Sequence, residues 1–127
     1  MAEKTFTIPV KMQIILTEED IDDIMCAALE GGICYWCCEA EVLGAYFGMY
    51  ASEQIARGGT LLLHDAESDD CWDLTLEKFL EGVKLWYTSG MAGNTVRGDG
   101  TVDTCEIDGD GADAIVQLAL FGELVFG

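Results

Sequence analysis

The order of apolar and polar positions along this chain predicts short strands interleaved with amphipathic helices. Residues 4–16 alternate well enough for a first strand, and Pro9 within it marks an edge or a bulge, because proline cannot donate to a ladder. Thr17 then precedes Glu18, Glu19 and Asp20, an N-cap followed by acids that complement the helix dipole. Ile21, Ile24, Met25, Ala28 and Leu29 recur at helical spacing, and Gly31 and Gly32 close that helix. Residues 33–43, rich in aromatic and Cys side chains and ending on alternating Glu39 and Glu41, suit a strand with an acidic outer face.

Residues 45–57 read as a helix with Phe47, Tyr50, Ala51 and Ile55 on one side, stopped by Gly58 and Gly59. The stretches 60–65 and 71–74 flank a polar segment from Ala66 to Asp70, the pattern of a hairpin with an acidic tip. Thr75 caps a strongly amphipathic helix in which Leu76, Phe79, Leu80, Val83 and Trp86 or Tyr87 share a face. Residues 88–100, with four Gly, form a loop, and 101–106 a short strand. Asp108 or Asp110 caps a last helix through Phe121, and 123–126 return as a terminal strand. The sum is an α+β fold, a mainly antiparallel sheet with three or four helices, in a single domain over residues 1–127.

Composition sharpens this picture. The chain has 127 residues, half of them hydrophobic, which suits one folded domain despite 24 acids. Its apolar runs fall short of the ~20 residues of a membrane span, and its first ten residues lack a signal-peptide layout. A cytoplasmic protein with no membrane partner is expected. Six bases leave a net charge of −18, the wrong sign for direct nucleic-acid binding through phosphate neutralisation. Spread evenly over ~6,600 Å² of surface, the acids would stand roughly 17 Å apart, beyond the ~8 Å screening length, so clustering decides what they attract.

The clusters are present. No base lies between Lys11 and Arg57, an interval that holds Glu18, Glu19, Asp20, Asp22, Asp23, Glu30, Glu39, Glu41 and Glu53. Asp65, Glu67, Asp69, Asp70 and Asp73 form a second block, and Asp99, Asp103, Glu106, Asp108, Asp110, Asp113 and Glu123 follow the last base, Arg97. Glu18 with Asp22 and Glu19 with Asp23 are like-charge pairs at i and i+4, each costing ~0.2 to 0.5 kcal/mol. Solubility needs a net charge of only about 2 to 8 in magnitude. Self-repulsion beyond that points to a partner with a basic groove, drawn in by long-range attraction. Proteins that bind DNA or RNA own such grooves. The expected contact residues are therefore Asp65, Glu67, Asp69, Asp70 and Asp73 at the hairpin tip, Asp99, Asp103, Glu106, Asp108, Asp110 and Asp113 in the last block, and Glu18, Glu19, Asp22 and Asp23 in the first.

The stretches Gly31-Gly32-Ile33-Cys34-Tyr35-Trp36, Ala51-Ser52-Glu53-Gln54-Ile55-Ala56-Arg57-Gly58-Gly59-Thr60 and Leu74-Thr75-Leu76-Glu77-Lys78-Phe79-Leu80 resemble a family of small, acidic proteins carried by bacterial phages and mobile elements. That family brings no activity with it. In size and charge only, the chain also resembles anti-CRISPR and anti-restriction inhibitors, several of which imitate nucleic acid. The resemblance implies a non-enzymatic inhibitor occupying the nucleic-acid groove of a bacterial defence nuclease such as a CRISPR effector, without a cofactor.

Other chemistries compete. Cys34 and Cys37 have C-x-x-C spacing, and with Cys38 they carry the alternative of a metal-binding domain, with Cys26, Cys71, Cys105 and His64 as further donors. A second such knuckle is missing, and the aromatics inside the first favour buried thiols. Glu106, Asp108 and Asp110 sit at the first, third and fifth positions of a calcium loop, but Gln117 stands where a bidentate Glu is required; a helix cap is the better reading. The one histidine, His64, adjoins Asp65, yet neighbours on a strand point to opposite faces, and no nucleophile motif accompanies it. Trp36, Tyr46, Phe47, Tyr50, Trp72, Trp86 and Tyr87 are expected mostly in the core, with an acid-rimmed aromatic patch as the alternative. A homodimer through the terminal helix or an edge strand is left open.

Overall fold

The computed structural model describes residues 3–127. Helix α1 (Glu18–Ala27) starts at a reciprocal cap: Thr17 Oγ1 accepts from the Asp20 N–H at 3.0 Å, and Asp20 Oδ2 accepts from the Thr17 N–H at 2.9 Å. A π-turn over Ala28–Gly32 ends it. Strands β1 (Cys37–Leu43), β2 (Thr60–Asp65) and β3 (Cys71–Leu74) form an antiparallel sheet in that order. Helix α2 (Leu76–Thr88) is capped by Thr75 and helix α3 (Gly109–Phe121) by Asp108, whose Oδ1 accepts from the Gly111 N–H at 2.9 Å. The α+β class expected from the patterning is the one observed.

One face of the sheet is apolar because residues alternate across it. Ala40 stands opposite Leu63 and Val42 opposite Leu61, while Leu61 and Leu63 stand opposite Leu74 and Trp72 on β3. This face joins Ile21, Ile24 and Met25 of α1, Phe79, Val83 and Trp86 of α2, and Ile115, Val116 and Leu118 of α3 in one core. The aromatic edge is sealed by Trp36, which stacks on Phe126 with centroids 4.8 Å apart, and by Trp72 packed edge-on against Phe121. No helix among the described residues is long and apolar enough to cross a membrane.

Four expectations are overturned. Residues 4–16 form no strand: Ile15 alone bridges to Thr101, its N–H donating to the Gly100 carbonyl at 2.8 Å, and the described residues before it make no main-chain hydrogen bond. The alternation is real, but no strand among the described residues pairs with it. Residues 45–57 form a loop and two short 3₁₀ turns, Ala51–Glu53 and Ile55–Arg57, instead of one helix. Gly48 adopts φ +92° and Tyr50 is extended, and the side chains of Glu53 and Gln54 take the loop's backbone bonds that a helix would otherwise satisfy. Residues 101–106 contribute isolated bridges at Thr101 and Val102 and a 3₁₀ turn. The tail at 123–126 pairs with a side chain instead of a strand: Gln117 Oε1 accepts from the Val125 and Phe126 N–H groups, each at 2.8 Å.

Helices α2 and α3 approach closely at Gly82, where an added Cβ would stand 2.5 Å from the Ile115 carbonyl oxygen and 2.7 Å from Ala119 Cβ. Alanine gains ~1 kcal/mol of helix propensity over glycine, but overpacking against a backbone atom costs ~1–3 kcal/mol, and at this distance the clash dominates. Gly82→Ala is expected to lower the urea midpoint, with a net loss on the order of 1 kcal/mol in equilibrium unfolding.

Candidate functional site

The acidic surface is built from three elements around residues 30–36. Helix α1 turns its apolar side inward and presents Glu19 and Asp23 to solvent. Asp23 Oδ2 accepts from the Thr104 hydroxyl at 3.0 Å, which brings the first block against the last. The contact continues at Gly32, where a Cβ would stand 2.5 Å from the Gly109 carbonyl oxygen. Only a residue without a side chain fits there. Across this junction Glu30, Asp108 and Asp110 line one open depression with Tyr35, and Glu106 lines its neighbour together with Asp108 and Asp110. Glu30 was not among the expected contact residues; the only trace of its placement in the sequence is the pair of small residues that let the two elements meet. The Glu30 carboxylate also holds the Cys26 thiol above its ordinary pKa.

The hairpin tip joins the same region, since the Ala66 N–H donates to the Trp36 carbonyl at 2.8 Å. Its turn is organised by its own polar groups: Ser68 Oγ donates to Asp65 Oδ2 at 2.5 Å and accepts from the Asp70 N–H at 3.1 Å. Glu67, Asp69 and Asp70 are left exposed, as tip residues should be.

Other expected contact residues have local partners. Arg57 binds Glu18 at 2.7 Å and Asp22 at 3.0 Å on another side of α1. Asp73 is held by Lys78 at 3.2 Å, which keeps its carboxyl below the usual range, and the Thr101 hydroxyl and N–H do the same for Asp99. Asp103 caps the 3₁₀ turn Thr104–Glu106 and lies 3.6 Å from Arg97. Asp113 does not belong to the surface at all. It is buried, with its carboxylate accepting from the Tyr35 hydroxyl at 2.6 Å, the Trp36 indole N–H at 2.8 Å and the Gln117 amide at 2.9 Å. Among the described residues, only five of the 24 carboxylates stand in a salt bridge with a basic nitrogen, one of them Glu41 at 3.0 Å from His64.

The cysteines do not gather. Cys37 is buried with its thiol donating to the Glu39 carbonyl, Cys34 turns toward the Leu29 carbonyl, and Cys38 faces the His64 and Asp65 carbonyls. No three His, Cys, Asp or Glu side chains among the described residues converge as a ligand set. The Glu106–Gly111 stretch serves as a 3₁₀ turn and helix cap. Of the aromatics, Trp36 and Trp86 are buried and Trp72 and Tyr87 half-buried, whereas Tyr46, Phe47 and Tyr50 are exposed on the 44–50 loop. Comparison with protein-family models, curated proteins and solved structures found no match.

Desolvation of its hydroxyl, then the adjacent Asp113 carboxylate, push the Tyr35 phenol up to about 12. A phenol whose folded pKa lies above its unfolded value of about 10 contributes stability that is intact below pH 10 and lost as pH rises toward 12. Tyrosinate absorbance is expected to show one late-titrating tyrosine in the native protein. Asp113→Asn should move that titration back toward 10, and Tyr35→Phe should remove it.

Proposed function

We propose that the protein is a non-enzymatic acidic inhibitor that occupies the basic nucleic-acid groove of a bacterial defence nuclease, of the CRISPR-effector type. The observation that carries this reading is the gathering of Asp23, Glu30, Glu106, Asp108 and Asp110 from two sequence blocks onto one face without a basic partner. Carboxylates a few ångströms to a screening length apart add their fields, and a rigid scaffold of caps and packed helices spares the entropy of arranging them at the moment of binding. The exposed tip residues Glu67, Asp69 and Asp70 extend the same sign of charge beyond the Trp36 connection. Attraction of this kind raises association rates and weakens with salt.

The structure also determines which substitutions test the proposal cleanly. Asp108 caps α3, and losing such a cap costs about 0.5–2 kcal/mol, so its reversal would confound binding with folding. Asp69, Asp70, Glu106 and Asp110 are exposed and hold no main-chain N–H through their carboxylates. The test uses the protein as bait in a bacterial lysate, washed with rising salt and competed with DNA or RNA. A nucleic-acid enzyme should be retained at low salt and released by either treatment. Asp69→Lys with Asp70→Lys, and Glu106→Lys with Asp110→Lys, should each weaken its capture at least tenfold; the first pair leaves the melting temperature unchanged, and the second, with Asp110 in the first turn of α3, lowers stability by no more than the ~0.3–1 kcal/mol of a helix-dipole contact. A specifically bound partner that ignores both salt and nucleic acid would refute the groove.

A further inference from the structure

The described residues before Thr17 combine three features that a finished monomer does not show together. Phe6, Ile8, Val10 and Met12 recur at period two and are 80, 78, 80 and 61 % exposed. The described residues before Ile15 belong to no helix or strand and make no main-chain hydrogen bond; the first is the Ile15 N–H to the Gly100 carbonyl. The base of this arm is nevertheless anchored, because Ile14 and Leu16 lean on α2 at Leu80, Val83 and Tyr87, and Val10 and Met12 reach over Lys84 and Thr88 of the same helix while staying mostly exposed. A tethered arm thus holds out a strand's worth of apolar side chains and unpaired peptide groups. The area agrees. The chain exposes 7843 Å², whereas a compact monomer of this mass exposes ~6,600 Å², and an excess of roughly 1,200 Å² is ample for one partner's share of a standard interface.

We propose that the arm is exchanged between two copies of this chain, each adding residues 5–12 as a fourth strand to the open edge of β1 in the other. Charge selects this receptor. Residues 3–16 carry Lys4 and Lys11 against Glu3, a net +1, while the rest of the chain carries −19. Arm against arm would bring lysines toward lysines. On β1, Glu39 and Glu41 are exposed on the outer face, and Ala40 and Val42 on the inner face are only partly covered. A strand placed there with its even residues inward covers Ala40 and Val42 and brings Lys11 to the same outer face as the two glutamates. The other sheet edge is less suited, since β3 has four residues and Lys78 Nζ already donates to its Asp73 carbonyl at 2.8 Å.

Pro9 specifies the pairing side. Main-chain groups of successive strand residues point to opposite edges, so the even residues share one edge and Pro9 sits on the other, where its missing N–H leaves a blunt border. The arm therefore takes β1 on its even side and offers a poor edge to any further chain, which closes the assembly at two copies.

The full chain is expected to sediment as a dimer at about 50 µM in 0.15 M salt; a monomer at every concentration overturns the proposal. Ile8→Pro removes an even-side N–H and should raise the dimer dissociation constant at least tenfold, whereas Thr7→Pro, on the side already blunted by Pro9, should raise it less than threefold. Circular dichroism of both variants reports whether the body stays folded, and Ile8→Ala separates the lost N–H from the lost side chain by retaining the former. Glu39→Lys with Glu41→Lys should weaken the dimer at least tenfold. A dimer that survives Ile8→Pro, or one indifferent to both glutamate reversals, overturns the assignment of arm or of receptor respectively. None of these outcomes depends on the proposed groove contact.

Discussion

The Asp113 carboxylate is the interaction on which the arrangement of this fold most depends. It sits on α3, facing inward, where a charge is costly unless every lone pair is used. Tyr35, Trp36 and Gln117 each give it a donor, so one acid fixes the residues that lead into β1 against the last helix. Gln117, oriented by this bond, turns its oxygen to the Val125 and Phe126 N–H groups. That places Phe126 flat on Trp36, and Trp36 in turn meets Trp72 of β3. Sheet, helix and tail are therefore registered by a chain of contacts that begins at a single carboxylate; losing it would leave the buried Trp36 indole N–H without an acceptor, while the Tyr35 hydroxyl and the Gln117 amide would keep only their bonds to the Phe126 carbonyl and to each other.

Much of the fold was legible in the sequence, and the reason differs between elements. Thr17 and Thr75 announced α1 and α2 because capping is local chemistry, readable from four residues. The β2–β3 hairpin was legible because both strands and their turn lie within fifteen residues. Residues 45–57 misled because apolar spacing resembles a helix equally well when Glu53 and Gln54 are about to divert the backbone bonds to their side chains. The tail misled for the same reason, with Gln117 standing in for a strand. Residues 4–16 show the opposite case: their alternation is that of a strand, and period two specifies a face without naming the partner that will cover it.

The acidic surface divides along similar lines. Composition and spacing exposed the three blocks, and the tip residues Glu67, Asp69 and Asp70 are as accessible as turns usually are. Spacing cannot tell an acid that faces solvent from one recruited by the fold. Asp20, Asp103 and Asp108 cap helical turns, Asp22 answers Arg57, Asp65 and Asp99 organise loops, and Asp113 is interior. The net charge of −18 is thus partly a consequence of acids being good caps and turn formers. What requires a further explanation is the remainder, which includes Glu39, Glu77, Glu81 and Glu123 on other parts of the surface, and within it the group Asp23, Glu30, Glu106 and Asp110 that gathers beside residues 30–36.

A body of such charge constrains every association it enters. Attraction to a basic groove and repulsion between two like copies are both long-range, and both shrink as salt shortens the screening length from ~10 Å at 0.1 M to ~3 Å at 1 M. The proposed groove contact weakens under that change, whereas the proposed arm exchange loses its attraction between Lys11 and the β1 glutamates but also the stronger repulsion between two bodies of charge −18, and keeps its apolar and main-chain contacts. One molecule would then favour a foreign partner at low ionic strength and its own copy at high ionic strength. The arm is the one stretch whose charge opposes that of the body, and it leaves from the N-terminal end of α1, the helix whose first turn is the most acidic in the chain.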